Sequence, residues 1–111
     1  MDAIALAGVY SCPPGHKPSY AEHLCVPSLS VGTYSIPAGG LDDQVPHAED
    51  EVYLVTGGRG WFTGGANGKI PVGPGSVLYV PAGEDHRFVD VEEDLAMVVV
   101  FAPPYGSTDQ G

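Results

Sequence analysis

The chain has 111 residues, enough for one hydrophobic core and too few for two. Hydrophobic residues make up 43% of it and charged residues 16%, a balance that excludes an intrinsically disordered protein. Fourteen acidic residues against four basic ones give a net charge of −10. A surface of that sign repels nucleic-acid phosphates and anionic lipids, so we expect neither nucleic acid nor a membrane as a partner.

Residues 1–20 are predicted to form a loosely attached N-terminal arm, which contains the proline-rich loop CPPGHKP. The arm begins without the positive charge and long apolar run of a signal peptide or membrane span, so a cytoplasmic protein is expected. Cys12 and Cys25 do not form a CxxC pair. In a cytoplasmic chain we expect them to be thiols rather than a disulfide.

The rest of the chain alternates short apolar runs with turn residues, a pattern typical of an all-β fold. The Asn-Gly pair within GGANGK (64–69) predicts a hairpin turn. Gly57, Gly58 and Gly60 predict another tight turn, and the polar residues 103–111 a frayed tail. The predicted strands are 21–29, 30–36, 51–57, 60–64, 76–82, 86–91 and 95–102. Their regular spacing favours a sandwich or a barrel.

Two segments of this region resemble the paired motifs of the cupin superfamily. The first family motif is a glycine, five residues, His-x-His, three or four residues, a glutamate, six residues and a glycine. The corresponding positions here are Gly39, Val45, His47, Glu51 and Gly58. Every spacing agrees with the family motif, and one residue differs from it, because Val45 stands where the family has its first histidine.

The second family motif is a glycine, five residues, Pro-x-Gly, two residues, a histidine, three residues and an asparagine. The corresponding positions here are Gly75, Pro81, Gly83, His86 and Asp90. Only the last position differs, with an aspartate in place of the usual asparagine. Both motifs occur in the family's order with a short gap between them.

The resemblance covers residues 21–102. It implies an all-β double-stranded β-helix, the jelly-roll barrel of the cupins, flanked by the N-terminal arm (1–20) and the C-terminal tail (103–111). Small cupins commonly pair across a two-fold axis, so the resemblance also implies a homodimer, with the strands within 21–36 as the candidate edge.

Three residues at the motif positions are candidate metal ligands. Two histidines and one carboxylate bind the metal of non-haem iron oxygenases, so His47, Glu51 and His86 are predicted to hold one divalent transition metal: iron, manganese, nickel or zinc. A buried Glu51 without a cation or a donor would be costly, and the chain has only four basic residues. The same residues could instead be relics of a lost site or polar groups of the core.

Gln44 is the candidate fourth ligand in place of the missing histidine. In a regular strand its side chain would face away from His47, so coordination would require a bulge, which the following Pro46 favours.

Alternation along the strands assigns further residues to the barrel interior. Tyr53 lies two residues beyond Glu51 on the same face, and Phe88 two residues beyond His86, so both are predicted to form the wall of a substrate pocket. Asp90 follows on that face and is a candidate proton acceptor, or else a turn residue at the end of the strand. Glu49 and Asp50 are expected on a solvated rim.

The resemblance implies a metal-dependent enzyme that acts on a small organic molecule. Dioxygenase chemistry is the first candidate, followed by decarboxylase, isomerase and lyase chemistry. The alternative is a module that binds a small molecule without converting it, which the loss of a histidine at Val45 favours. The sequence does not identify the substrate.

Overall fold

The structure is a computed structural model that describes residues 1–15, 17–64 and 68–107. All regular elements of the described residues are β-strands, and none of these residues forms a helix long and apolar enough to cross a membrane. The strands are β1 (Ser19–Val26), β2 (Leu29–Ile36), β3 (Asp50–Gly64), β4 (Lys69–Val72), β5 (Val77–Val80) and β6 (His86–Ala102).

The strands pair in antiparallel fashion around the two long strands β3 and β6. The order is β1-β2-β6-β3-β4, and β5 pairs with the first half of β3. Because β3 and β6 pair along almost their whole length, each contributes to both ends of the molecule. The predicted all-β double-stranded β-helix is confirmed.

The turn predicted at Gly57, Gly58 and Gly60 is wrong, because β3 continues through these residues. Its pairing with β6 slips three times between Val55 and Trp61, so the glycines form bulges that bend a continuous strand. Gly58 has φ of 84°, and a Cβ there would overlap the backbone oxygen of Asp94. The predicted strands 86–91 and 95–102 are likewise one strand, β6.

We expect Gly58→Ala to lower the free energy of unfolding by about 1–3 kcal/mol, because alanine disfavours the left-handed backbone and its methyl group would meet Asp94. Gly57→Ala is the matched control, since a Cβ at Gly57 meets no heavy atom within 4 Å. Urea unfolding of both variants measures the difference. Equal stability of the two would contradict this account of the bend.

Strand β4 is not among the predicted strands, and it contains Pro71, a residue type that is disfavoured in a central strand. The structure places β4 at an edge of the strand order, where Pro71 pairs with Trp61. The missing N–H of a proline is tolerated at such an edge. Of the predicted hairpin turn before β4, residues 65–67 lie outside the described residues.

The N-terminal arm is attached more firmly than predicted. The backbone N–H of Gly8 donates to Thr33 Oγ1 at 2.8 Å, and that of Ser11 to Ser35 Oγ at 3.1 Å. Cys12 is buried, Cys25 is exposed, and no disulfide joins them. Strand β1 begins at Ser19, within the predicted arm. The domain boundaries at residues 20 and 102 stay predictions.

The first part of the predicted frayed tail is also anchored. The backbone N–H of Tyr105 donates to Ser30 Oγ at 2.9 Å, and that of Gly106 to Glu49 Oε2 at 3.1 Å. Residues 103–107 therefore fold back toward the start of β2 and the segment before β3, and the remaining tail residues (108–111) lie outside the described residues.

The core of the barrel has fully buried side chains that include Ile36, Val55, Leu95, Met97 and Val99. Aromatic rings close the core beneath the candidate site: Phe88 packs against Tyr53 with ring centroids 5.1 Å apart and against Phe62 at 4.8 Å. The site lies above these rings, so its floor is rigid and apolar.

Candidate metal centre

Three predicted ligands, His47, Glu51 and His86, come together inside the barrel. Glu51 Oε1 lies 3.0 Å from His86 Nε2 and 3.9 Å from His47 Nε2, and one ligand atom of each residue lies within 4.8 Å of the others. Glu51 is the second residue of β3, His86 is the first residue of β6, and His47 precedes β3. The backbone N–H of Gly83 donates to the carbonyl of His47 at 2.7 Å, which ties the loops of the two motifs together.

The ring of His86 is oriented by a backbone carbonyl. Its Nδ1 lies 2.9 Å from the carbonyl oxygen of Glu84, and because that oxygen only accepts, Nδ1 carries the hydrogen. In the neutral ring Nε2 then presents its lone pair to Glu51 Oε1, so two acceptor atoms face each other at 3.0 Å. Histidines that bind metals are commonly held by such a bond through the other nitrogen.

The pKa of His86 reflects this arrangement. Burial by itself lowers the pKa, but the neighbouring Glu51 carboxylate and the Glu84 carbonyl outweigh burial and raise the pKa above its ordinary value. A cation is therefore favoured between His86 and Glu51, either a proton on the ring or a metal ion.

Glu51 is 1% exposed, and among the described residues neither of its carboxylate oxygens accepts a hydrogen bond of acceptable geometry. A buried carboxylate in this condition is costly unless a cation compensates it. The residues present therefore fit a divalent metal ion, with Glu51 as its anionic ligand.

Gln44 also reaches this cluster. Its Oε1 lies 3.3 Å from His47 Nε2 and accepts a hydrogen bond from the Tyr53 hydroxyl at 3.1 Å. The predicted bulge is not needed, because Gln44 lies in the irregular segment between β2 and β3. The side chain of Val45, at the motif position of the missing histidine, is 67% exposed and points to solvent.

Of the two predicted pocket residues, Tyr53 faces the cluster and Phe88 does not. The Tyr53 hydroxyl is 3.0 Å from His86 Nε2. Burial, followed by the nearby Glu51 carboxylate, raises the pKa of Tyr53 far above its ordinary value, so this hydroxyl keeps its proton. Phe88 is buried in the core and supports the Tyr53 ring from behind.

Asp90, the predicted proton acceptor, lies away from the cluster. Its φ of 48° breaks the alternation along β6, so the side chain turns to the surface. There it accepts a hydrogen bond from Lys69 Nζ at 2.6 Å. The predicted rim residue Asp50 is exposed, but Glu49 is buried and accepts the bond from Gly106 that anchors the tail.

A cavity of about 120 Å³ opens beside the cluster and is mostly aromatic. It was only partly predicted from the sequence, because Tyr20 was assigned to the arm and Tyr105 to the tail. Burial, followed by Glu22 and other neighbours, raises the pKa of Tyr20 to about 12, so Tyr20 is also a neutral hydroxyl. The lining residues are Tyr20, Tyr34, Gln44, His47, Glu51, Tyr53, Val99, Phe101 and Tyr105.

Comparison with known proteins agrees with this architecture. The family model of the cupin domain matches residues 32–102. An uncharacterised protein of Streptomyces coelicolor is 48% identical over 86 residues, which are 78% of this chain and 81% of that protein. A solved RmlC-like cupin protein from Desulfovibrio desulfuricans has a TM-score of 0.74 at 22% identity, covering 94% of this chain and 98% of its own.

Two solved enzymes share the fold. The DMSP lyase DddQ from Ruegeria pomeroyi has a TM-score of 0.69 at 19% identity, over 83% of this chain and 49% of the lyase. An ectoine synthase from P. lautus has a TM-score of 0.69 at 21% identity, over 79% of this chain and 65% of the synthase. At these identities the likeness shows a shared fold and nothing about substrates.

Proposed function

The chain belongs to the cupin family, and we propose that it is a metal-dependent enzyme that acts on a small organic molecule. The proposal rests on one observation, the convergence of acceptor atoms with too few hydrogens between them. Gln44 Oε1, Glu51 Oε1 and His86 Nε2 all lie in the cluster, and the Tyr53 hydroxyl and the His47 ring supply at most two hydrogens for these three acceptors. A divalent cation would satisfy them together.

The spacing of these atoms supports the proposal. Bonds of about 2.0–2.2 Å from a metal to nitrogen or oxygen place neighbouring ligand atoms about 3.0–3.5 Å apart. The separations of 3.0 Å between Glu51 and His86 and 3.3 Å between Gln44 and His47 lie in this range, and the separation of 3.9 Å between His47 and Glu51 is slightly wider. Nitrogen and oxygen donors of this kind suit iron, manganese, nickel or zinc.

A divalent cation held by His47, Glu51 and His86 would polarise a substrate oxygen or, as iron, support reaction with dioxygen. The protein's own side chains supply the remaining functions. Val99, Phe101 and the other apolar residues of the cavity hold the carbon skeleton and exclude water. Tyr53, which keeps its proton, can donate a hydrogen bond to an oxygen of the substrate beside His86.

Two histidines and one carboxylate favour dioxygenase chemistry as the first reaction to test. Metal-loaded protein incubated with a panel of small organic acids in an oxygen electrode separates the alternatives. Substrate-dependent oxygen uptake would support a dioxygenase. Product formed without oxygen uptake would support a lyase, an isomerase or a decarboxylase, and a bound molecule recovered unchanged would support the binding module.

Elemental analysis of untagged protein, purified without chelator, tests the proposal as a whole. About one equivalent of a transition metal per chain is expected. Absence of metal after reconstitution with iron, manganese, nickel and zinc in turn would contradict the proposal.

We also propose that the protein is a homodimer, and the exposed apolar surface suggests a different contact from the one predicted on strands 21–36. Leu54 and Val77 are cross-strand neighbours on β3 and β5, Tyr79 lies on the same face, and all three are exposed. An uncharged face is where two copies of a chain with a net charge of −10 repel each other least.

We expect sedimentation equilibrium to give a dimer for the native chain and a monomer for Val77→Asp, because the substitution buries an unpaired charge in the contact. Ala21→Asp, on the exposed surface of β1, is the matched control and should stay dimeric. Dissociation of the Ala21 variant alone would instead locate the contact on β1, and a monomeric native chain would contradict the homodimer.

A further inference from the structure

A second buried carboxylate, Asp42, lies behind the candidate metal centre and occupies none of the specified positions of the two cupin motifs. It is 4% exposed, and each of its oxygens accepts two hydrogen bonds. Oδ1 accepts from the Tyr34 hydroxyl at 2.8 Å and from the backbone N–H of Gln44 at 3.3 Å. Oδ2 accepts from Gln44 Nε2 at 2.7 Å and from the backbone N–H of Phe88 at 2.8 Å. Asp42 is thus fully satisfied by its neighbours, in contrast to Glu51.

These bonds fix the orientation of the Gln44 amide. A carboxylate oxygen only accepts, so the atom of Gln44 that faces Asp42 Oδ2 must be the nitrogen. Its oxygen then faces the opposite way, toward the Tyr53 hydroxyl and His47 Nε2. With the amide reversed, the oxygens of Gln44 and Asp42 would lie 2.7 Å apart, and the NH₂ group would point toward the cluster of His47, Glu51 and His86.

The same carboxylate connects Gln44 to the strand that carries His86. Asp42 accepts a hydrogen bond from the backbone N–H of Phe88, which lies two residues beyond His86 on β6. Asp42 therefore sets the distance between the Gln44 segment and the start of β6. Partners of this kind, which hold a ligand without touching the metal, commonly change metal affinity 10- to 100-fold when they are removed.

We propose that Asp42 is a positioning residue that holds Gln44 Oε1 in place as the fourth metal ligand, so that this pair replaces the histidine missing at Val45. The inference rests on the proposed metal site and adds to it both the identity of the fourth ligand and the residue that makes Gln44 competent. A histidine needs one bond to fix its ring, whereas an amide needs a partner that distinguishes its two ends, and a carboxylate does so.

A purely structural role for Asp42 makes a different prediction, and a double-mutant cycle separates the two. If Asp42 acts through Gln44, removing Asp42 weakens metal binding only while Gln44 is present. If Asp42 merely stabilises the fold by accepting bonds from Tyr34 and Phe88, its removal changes metal binding by the same factor in both backgrounds.

The experiment compares the full chain with Asp42→Ala, Gln44→Ala and the double variant. The probe is Zn²⁺, and its dissociation constant is measured by competition with a chromophoric chelator. We expect Asp42→Ala to weaken binding about 10- to 100-fold, Gln44→Ala to weaken it at least as much, and the double variant to lie within about twofold of Gln44→Ala. With Co²⁺ as a second probe, the visible spectra of the two single variants should match each other and differ from that of the native chain.

Three results would overturn the proposal: native affinity in Gln44→Ala, native affinity in Asp42→Ala, or factors that multiply in the double variant. Asp42→Asn, which keeps the shape of the side chain, replaces the alanine variant if thermal unfolding shows that Asp42→Ala does not fold. A smaller loss in the same direction, again absent in the Gln44→Ala background, is expected for it. A native chain that binds neither metal would instead contradict the metal site itself, and this inference with it.

Discussion

Replacing His86 with alanine is expected to remove bound metal and turnover together. The substitution deletes a ligand whose Nε2 lies 3.0 Å from Glu51 Oε1, and it leaves that buried carboxylate without its nearest compensating group. Losing an outer partner of a metal ligand costs 10- to 100-fold in affinity, so losing the ligand itself should exceed about 100-fold. Elemental analysis and calorimetric titration with Zn²⁺ measure the loss.

His23→Ala is the matched control for that experiment. His23 lies on β1, where its Nε2 is 2.7 Å from Thr33 Oγ1, and it belongs neither to the cluster nor to the lining of the cavity. The control should keep about one equivalent of metal and native affinity. If His86→Ala also kept them, the cluster would not be the metal site, and the cupin fold would have to serve another function in this chain.

The sequence predicted the three central residues of the cluster because their positions depend on regular features. Glu51 and His86 lie at the starts of strands, where alternation determines which side chains face inward. His47 lies only four residues before Glu51, and this short separation along the chain keeps its side chain near that of Glu51. Motif spacing and strand geometry therefore led to the same three residues, and the structure brings them together.

The same reasoning failed where the chain is irregular. Coordination by Gln44 was expected to require a bulge because strand alternation was applied to a segment that is not a strand. Asp90 was expected to face inward because nothing in the sequence marks its positive φ, apart from the general tolerance of aspartate for that conformation. Alternation is informative only where the backbone is extended.

Contacts between distant segments account for the other misses. Tyr105 reaches the cavity because the chain folds back after β6. Its position depends on two hydrogen bonds, one from its own N–H to Ser30 and one from the N–H of Gly106 to Glu49. Asp42 accepts four hydrogen bonds, whose donors lie on three separate segments. The two bonds from Gln44 join residues only two apart, but no local pattern encodes the bonds from Tyr34 and Phe88 to Asp42 or those of the tail, since these depend on the completed fold.

The second large effect concerns Glu51, for which we expect opposite changes in stability with and without metal. In Glu51→Gln the carboxylate is replaced by an amide of the same shape, whose NH₂ can donate to the lone pair of His86 Nε2. The buried charge disappears and an unsatisfied acceptor gains a donor. With EDTA present and the His86 ring neutral, the variant should therefore be more stable than the native chain by about 1–3 kcal/mol.

Saturating metal should reverse the order. A ligand at a thousand times its dissociation constant stabilises the native chain by about 4.1 kcal/mol, which exceeds the expected advantage of the variant. The variant lacks the carboxylate proposed as the anionic ligand, so its free energy of unfolding should hardly change when metal is added. Urea unfolding at two conditions, EDTA and excess Zn²⁺, measures all four values. Glu22→Gln, an exposed position on β1, is the control and should follow the native chain in both.

The pH dependence of the EDTA series provides a further check on the same variant. In the native chain the pKa of His86 is raised, so the protonated ring paired with Glu51 stabilises the fold at low pH. That contribution is lost as the pH rises through the raised pKa, and it is absent from Glu51→Gln at every pH. The advantage of the variant should therefore grow with pH and vanish or reverse in acid. A variant less stable than the native chain at every pH would mean that Glu51 is compensated without any metal, and that the buried His86–Glu51 pair is a structural ion pair.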